Sequence, residues 1–512
     1  MITLGRDHVG DLSLSAEVVI VGSGAGGAVM AKELSEAGLE VLVLEEGGHT
    51  PPEVYSRYRP TQTLRHVARD GGTSVAVGLG DTPVISLLMG RTVGGSSVMT
   101  GGVCFRIPES VSDHWVKELK LEGYSTKVLE AAYRSVEKEV NVTEVPVEMR
   151  SRSTQLFAQG AEKRGGIEIK PLRRNTSNCL GAARCNFGCP THAKLSVDVT
   201  YLKKALGKGT RIYADCLVEK IVEKDGRAAG VVGRVLNGRD GAPGGKLAVK
   251  AGTVVISAGT IHTPKILGRS GIGKRSGELG KRITLHPGFR VAAMFDTLVQ
   301  GWKGSLQSAY SESLEKELLT LVGIWAPMNI LAAALPGVGP EHQALVRRMD
   351  HLAIFGGMIH DEGGGRVYNI PGREPLLVYR MTPRDKQNLF KGMRILAECF
   401  FAAGAREILL PVFGMKPLKS PDELKIFDSH IPASKVECAA FHPLGSARMG
   451  VDPRSACISP TGESFDLPGL YVADGSLFPT SIGVNSQLPI MTVSTQIAWG
   501  LRDALLKRKG AA

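Results

Sequence analysis

Aromatic residues make up only 5% of this chain, and its 512 residues include just eight cysteines. Repeats, low-complexity tracts and dense charge clusters are missing. Each shortage excludes something. So few cysteines in so long a chain do not build a disulfide scaffold. The formal charge of +12 is diffuse, and its only tight basic run is Lys507–Lys509 at the tail. No nucleic-acid footprint is therefore expected. Weak attraction to an anionic membrane surface or an acidic protein remains compatible with that charge. The opening MITLGRDHVGDLS has no apolar core, so no export signal is expected and the cytoplasm is the expected compartment. An escort subunit that exported the folded chain would leave no trace here. One stretch, Leu318–Pro340, carries no charge, but Pro327, Asn329 and Pro336 interrupt it. It is long enough to span a bilayer. It reads as a buried or pocket-lining segment or, alternatively, as an apolar lid meeting a lipid surface.

Glycine is abundant, at 63 residues, and the most informative glycines come early. VGSGAGG (21–27) places Gly22, Gly24 and Gly27 in G-x-G-x-x-G. An apolar strand at 18–21 precedes it, a helix pattern at 28–38 follows, and a second strand at 39–45 ends in Glu45. In that context the pattern is a dinucleotide fingerprint. Gly22 permits the tight turn, Gly24 lets backbone approach a pyrophosphate, and Gly27 lets helix pack on strand. The helix N-terminus offers free N–H groups to phosphate. Glu45 can accept hydrogen bonds from ribose hydroxyls.

The length predicts two lobes. Alternating segments at 217–236 and 246–259, around the turns DGR and GAPGG, read as strands. The stretch 253–273 reads as a buried strand, a small-residue turn and a helix starting near Pro264. Residues 470–506 again read as strand, loop and long helix. Between about 290 and 435 the texture changes. Strands are expected at 352–360 and 375–382, and a helix at 384–404 with Leu389, Met393, Leu396 and Phe400 on one face. HDEGGGRVY (360–368) reads as a hairpin. This part looks like a lobe inserted into the nucleotide lobe.

Five motifs in order resemble the glucose–methanol–choline (GMC) oxidoreductases: VGSGAGG…VLVLEEGG, GRTVGGSSVMTGGVCFR (90–106), ISAGTIHTPKILGRSGIG (256–273), HPLGSARMG (442–450) and ADGSLFPTSIGVNSQLPIMTV (473–493). The bacterial branch similar to long-chain alcohol oxidases and FAD-dependent dehydrogenases looks nearest. The resemblance implies an α/β fold: a Rossmann-like FAD-binding domain with an inserted α+β substrate domain of antiparallel sheet plus helices. The expected division is 1–160 for the first part of the FAD domain, 161–205 for a cysteine-containing segment near the flavin, and 206–290 for its second part. Residues 291–435 form the substrate domain and 436–512 the C-terminal part. Implied FAD contacts are Gly22, Gly24, Ala25, Gly27, Glu45, Arg91, Gly94, Gly95, Ser96, Ser97, Val218, Ala258, Asp474 and Asn485. The family often has Asn at Thr100. Met99 stands where some members link FAD through a histidine, so non-covalent FAD is expected.

The resemblance also implies FAD-dependent oxidation of an alcohol to a carbonyl, with hydride passing to flavin N5. His442 is the expected general base, its imidazole suiting proton transfer near neutral pH. Asn485 would orient the developing alkoxide. His262 and His286 lie off the catalytic motif and read as structural. Arg106 and Arg448 either steady the cofactor or pair with carboxylates.

Cys179, Cys185 and Cys189 are separated by five and then three residues, with Pro190 following. C-x3-C-P resembles the close of ferredoxin runs. A bacterial FAD-dependent glucose dehydrogenase with the same spacing holds a three-iron cluster and feeds a cytochrome subunit. Alternatives are zinc with His192 as fourth ligand, or reduced thiols packed over the flavin. Cys104, Cys216, Cys399, Cys438 and Cys457 read as core residues. An apolar alcohol or sterol is the expected substrate, with oxygen, a quinone or a cytochrome subunit as acceptor. A sugar dehydrogenase with a cluster and redox partner is one alternative. A hydroxynitrile-lyase-like FAD protein is another.

Overall fold

The computed structural model describes residues 1–237 and 242–510. Of the expected GAPGG turn (241–245), Gly241 lies outside that range, and the other four residues open the strand Ala242–Ile256. Two sheets organise the chain. The first runs in the order Ile2–Leu4, Arg211–Ala214, Val41–Leu44, Leu12–Val21, Ala242–Ile256, Arg227–Asn237, Cys216–Lys224, with Leu470–Val472 also paired to Ala242–Ile256. The strands around Leu12–Val21 are parallel. Val18, Val19 and Ile20 are fully buried because helices and neighbouring strands cover both faces. That is why the segment reads as an unbroken apolar run.

Helix Ala25–Glu36 starts directly after the glycine turn. Gly22 has φ +99°, and a Cβ on Gly27 would sit 2.0 Å from the Gly22 carbonyl oxygen. Only glycine permits this turn and this contact. The predicted helix near Pro264 begins earlier, at Gly259, and runs to Arg269 with Pro264 inside it. Proline lacks the N–H that would satisfy the Thr260 carbonyl. The Ser446 hydroxyl donates to that carbonyl instead, at 2.5 Å.

The second sheet has eleven strands, including Gly288–Met294, Leu319–Gly323, Leu352–Ile359 and Leu376–Tyr379. It reaches beyond the expected antiparallel segment in two ways. It draws strands from outside 291–435, namely Val75–Gly78, Ile85–Leu87, Lys170–Pro171 and Cys438–Ala440. It is also mixed: Leu376–Tyr379 pairs parallel with Val75–Gly78, and Cys438–Ala440 parallel with Ile85–Leu87. Both parallel pairs join segments far apart in sequence, where no tight hairpin dictates direction. The segment 360–368 is not a hairpin by itself: Gly365–Tyr368 pairs antiparallel with Leu376–Tyr379, so the turn falls at 369–375.

Helix Pro383–Ala402 starts with a reciprocal cap between Thr382 and Asp385. It buries Leu389, Met393, Leu396 and Phe400 completely, in a cluster shared with the second sheet. The uncharged stretch forms strand Leu319–Gly323 and helix Met328–Ala333. Among the described residues no helix is long and apolar enough to cross a membrane.

Candidate active site

A large cavity, about 950 Å³, is bounded by elements of both sheets. One end is walled by the early glycine turn: Gly22, Gly24, Ala25 and Glu45. Gly95, Ser96 and Ser97 face them from a second loop, and Val218, Ala258 and Asp474 complete that end. Three expected contacts do not line the cavity. Gly27 is used up in helix–strand packing. Gly94 joins the two glycine loops: its N–H donates to Ser23 Oγ at 3.0 Å, and Ser23 Oγ donates to Glu45 at 2.6 Å. The Arg91 guanidinium turns to Glu46, 3.5 Å away.

The cradle fits a dinucleotide. A Cβ on Gly95 would lie 2.7 Å from the Gly24 Cα, so the two loops meet backbone to backbone beside the cavity. Asp474 accepts from the Gly259 N–H at 2.8 Å and the Thr263 hydroxyl at 2.5 Å. It is thereby fixed at the start of helix Gly259–Arg269. Burial raises the pKa of both Glu45 and Asp474, against the hydrogen bonds they accept.

His442 and Asn485, 43 residues apart in sequence, meet in this cavity: Asn485 Nδ2 lies 2.8 Å from His442 Nε2. The remaining polar atoms of the pair, His442 Nδ1 and Asn485 Oδ1, are buried without a partner. Burial pushes the His442 pKa down to about 4, so the ring is neutral at neutral pH. Beyond the pair much of the wall is apolar, with Val322, Ile324, Trp325, Ile354, Met358 and Phe441, while Gln307 and the paired Arg290 and Glu437 add polar groups. Part of the uncharged stretch thus lines the cavity.

The loop before Asn485 is held from both sides. His286 Nε2 accepts from the Ile482 and Gly483 N–H groups, each at 3.2 Å. Thr320 donates to the Gly483 carbonyl at 2.9 Å, and His360 Nε2 lies 2.8 Å from the same hydroxyl. His286 has φ +50°, strained for a non-glycine residue. Asp361 accepts its backbone N–H at 3.0 Å. Sequence reasoning left His286 as structural. Its ring in fact lies 5.9 Å from that of His442 and lines the cavity.

Sequence reasoning missed a second group entirely. Glu46 contacts Arg69, Arg91 and Arg373, while Glu374 binds Arg69 and His262. Burial opposes ionisation of Glu46, but the nearby arginines outweigh it and hold its pKa well below the carboxylate range. The signal was present: Glu46 follows Glu45 directly. His262, whose pKa burial and Arg69 push down, is thus a hydrogen-bonding partner of Glu374 on the cavity wall. Thr100, the departure from Asn, donates to Gln487 Oε1 at 2.8 Å. Arg106 pairs with Glu130 and Glu137, and Arg448 with Glu278. Neither lines the cavity, which resolves the two alternatives in favour of carboxylate pairing.

The three cysteines do not fit a metal cluster as placed. Cys185 Sγ accepts from the Arg174 guanidinium at 2.9 Å, and Cys189 Sγ lies 3.6 Å from the Thr191 hydroxyl. Among the described residues no three His, Cys, Asp or Glu side chains could hold a metal. Neither the three-iron expectation for Cys179, Cys185 and Cys189 nor the zinc alternative finds support in this arrangement. What ties their loop to the site is Lys194. Its buried Nζ donates to the carbonyls of Ser97, Val98, Thr100 and Cys185.

The description GMC oxidoreductase matches residues 16–288 with its N-terminal part and 372–494 with its C-terminal part. The chain is 35% identical to an uncharacterised GMC-type oxidoreductase of Mycobacterium tuberculosis H37Rv over 484 residues, covering 94% of this chain and 75% of that one. It is 28% identical to long-chain-alcohol oxidase FAO3 of Arabidopsis thaliana, covering 96% of this chain and 69% of that one. Among solved structures, pyridoxine 4-oxidase from Mesorbium loti superposes with a TM-score of 0.72 at 18% identity, over 95% of this chain and 99% of that one. A solved formate oxidase gives 0.73 at 16% identity, over 98% of this chain and 100% of that one. With the glycine cradle and the shared fold, these matches show that the chain belongs to the GMC oxidoreductase family and is an FAD-dependent oxidoreductase acting on CH–OH donors.

Proposed function

We propose that this protein oxidises an apolar primary alcohol to its carbonyl compound, with His442 taking the hydroxyl proton and Asn485 holding the oxygen. The observation that carries this reading is the 2.8 Å contact between His442 Nε2 and Asn485 Nδ2 at the cavity wall. A substrate hydroxyl that takes the place of this direct hydrogen bond donates its proton to Nε2 and accepts the amide hydrogen of Asn485. The neutral ring is free to take that proton at neutral pH. The amide then stabilises the alkoxide where charge develops.

Bound FAD supplies the hydride acceptor. Gly24, Gly95, Ser96, Val218 and Asp474 are the residues that would hold it. Met99, buried beside that loop, offers no imidazole for a covalent link, which supports non-covalent binding. Trp325, Ile354, Met358 and Phe441 exclude water from the reacting end and offer the substrate an apolar wall. The long-chain-alcohol oxidases of Arabidopsis thaliana among the relatives support the same substrate class.

A homologous series of primary alcohols tests the substrate. Each added methylene that reaches the apolar wall contributes about 0.8 kcal/mol, so kcat/KM should rise roughly fourfold per carbon until the cavity is filled. A sugar oxidised faster than every fatty alcohol would overturn the substrate assignment.

A further inference from the structure

One face of the second sheet breaks the usual rule that an antiparallel sheet turns polar residues to water. Register places its outer residues together. Arg366 pairs with Val378 and Tyr368 with Leu376. Val378 pairs with Val77, and Val75 with Ser86. The intervening residues Ala76, Ile85, Leu377 and Tyr379 are buried in the lobe's core. The side chains left on the other face are nevertheless apolar. Val77 is 39% exposed and Val84 57%, and Val75, Leu79, Tyr368 and Leu376 are exposed as well.

We infer that this face docks the protein onto an anionic lipid bilayer. Its charges decide the occupant. Arg366 and Arg380 both fall on this face, and its strands Val75–Gly78, Ile85–Leu87, Gly365–Tyr368 and Leu376–Tyr379 carry no carboxylate; Asp81, in the turn between the first two, is engaged by Lys386 at 3.3 Å and by the Ser434 N–H at 3.0 Å. Arg366 stands 4.8 Å over the ring of Tyr368. A second copy packed on the same face by two-fold symmetry would bring these arginines together, while the face's Asp81 is already engaged by Lys386. Anionic headgroups meet them directly, while the valines and leucines enter the acyl boundary. The face also reaches the cavity, because Ser86 on its last strand is part of the cavity wall. That continuity would let an apolar alcohol pass from the bilayer to the site. The docking claim stands on the surface alone, and only this delivery role rests on the proposed substrate.

The test is co-sedimentation of the flavin-loaded full chain with vesicles of phosphatidylcholine, with and without phosphatidylglycerol. The protein should sediment with the anionic vesicles. Val77→Asp/Val84→Asp should remain in the supernatant while oxidising a short, soluble alcohol at the wild-type rate. If that variant fails to fold, Arg366→Gln/Arg380→Gln reads the same surface through its charges, each arginine lost weakening binding roughly fivefold. Absence of wild-type binding to the anionic vesicles overturns the proposal. So does a concentration-dependent dimer that Val77→Asp/Val84→Asp abolishes. Vesicle binding with no oxidation of any fatty alcohol would sink the substrate reading and leave the docking surface standing.

Discussion

The Gly483 N–H donates to His286 Nε2 at 3.2 Å, binding the loop that ends in Asn485 to a ring that comes 197 residues earlier. The Ile482 N–H shares the same acceptor. A nitrogen that accepts two N–H groups carries no proton, so His286 works as a neutral positioning residue. Burial, reinforced by the neighbouring rings of His442 and His360, pushes its pKa well below the ordinary value.

Removing that acceptor should loosen Asn485. In His286→Phe two buried N–H groups lose their partner, each costing about 1–3 kcal/mol. Alcohol oxidation should fall at least about tenfold in kcat, with a lower Tm. His286→Gln, which keeps an acceptor, should recover part of both. Steady-state kinetics and thermal melts of the two variants decide the matter. Equal losses in both would mean that the ring matters only for packing.

Gly483 itself admits no side chain. It has φ +64°, and a Cβ there would lie 2.3 Å from the His360 ring. Gly483→Ala should destabilise the protein by more than the roughly 1 kcal/mol that left-handed backbone costs an alanine, because His360 must also give way. A melt unchanged from wild type would contradict this contact.

Acid should reveal the buried rings. His442 titrates near 4 in the folded protein, so kcat/KM should stay level as pH falls through 6.5 and drop only close to 4. Stability has a definite sign too. The folded pKa values of His442, His360 and His286 lie below the unfolded value of 6.5. Between 6.5 and about 4 the unfolded chain therefore binds more protons, and stability falls as pH falls through that window. Asp361, pushed up to about 6 by burial, acts in the opposite direction. Glu45 and Asp474, also raised by burial, act with Asp361, while Glu46 and Glu374, lowered by their arginine and histidine partners, act with the three rings. Denaturant unfolding followed across this range should show the decline.

The sequence made the local parts of this account readable and hid the distant ones. Gly22, Gly24, Gly27 and Glu45 follow one another through a strand, a turn and a helix, so spacing alone placed them. His442 and Asn485 were legible because each sits in a motif of its own. His286 was not, because its role depends on Ile482 and Gly483, and neither spacing nor periodicity links residues nearly two hundred positions apart. The exposed apolar face was hidden for a related reason. The strand Val75–Gly78 looks like ordinary core until its pairing with Leu376–Tyr379 shows which residues point outward. The cysteine run shows the reverse failure. Its spacing suggested a cluster, but Arg174 and Thr191 engage two of the three sulfurs.

Asn485 should matter through charge rather than shape. Asn485→Ala removes the one amide beside His442 Nε2. The expected loss is about 2.7–4 kcal/mol of transition-state stabilisation, seen mainly in kcat. Asn485→Asp should be no better, since a carboxylate repels the alkoxide. A loss confined to KM would assign Asn485 to substrate binding alone.

The central claim is that His442 draws the hydroxyl proton beside the bound flavin, and anaerobic mixing tests it most directly. Wild-type protein mixed with a long-chain primary alcohol in the absence of oxygen should lose its oxidised-flavin absorbance. His442→Ala should keep its flavin yet bleach slower by about two to four orders of magnitude. Bleaching at the wild-type rate in His442→Ala, or a flavin-loaded wild type that no alcohol bleaches, would contradict the account.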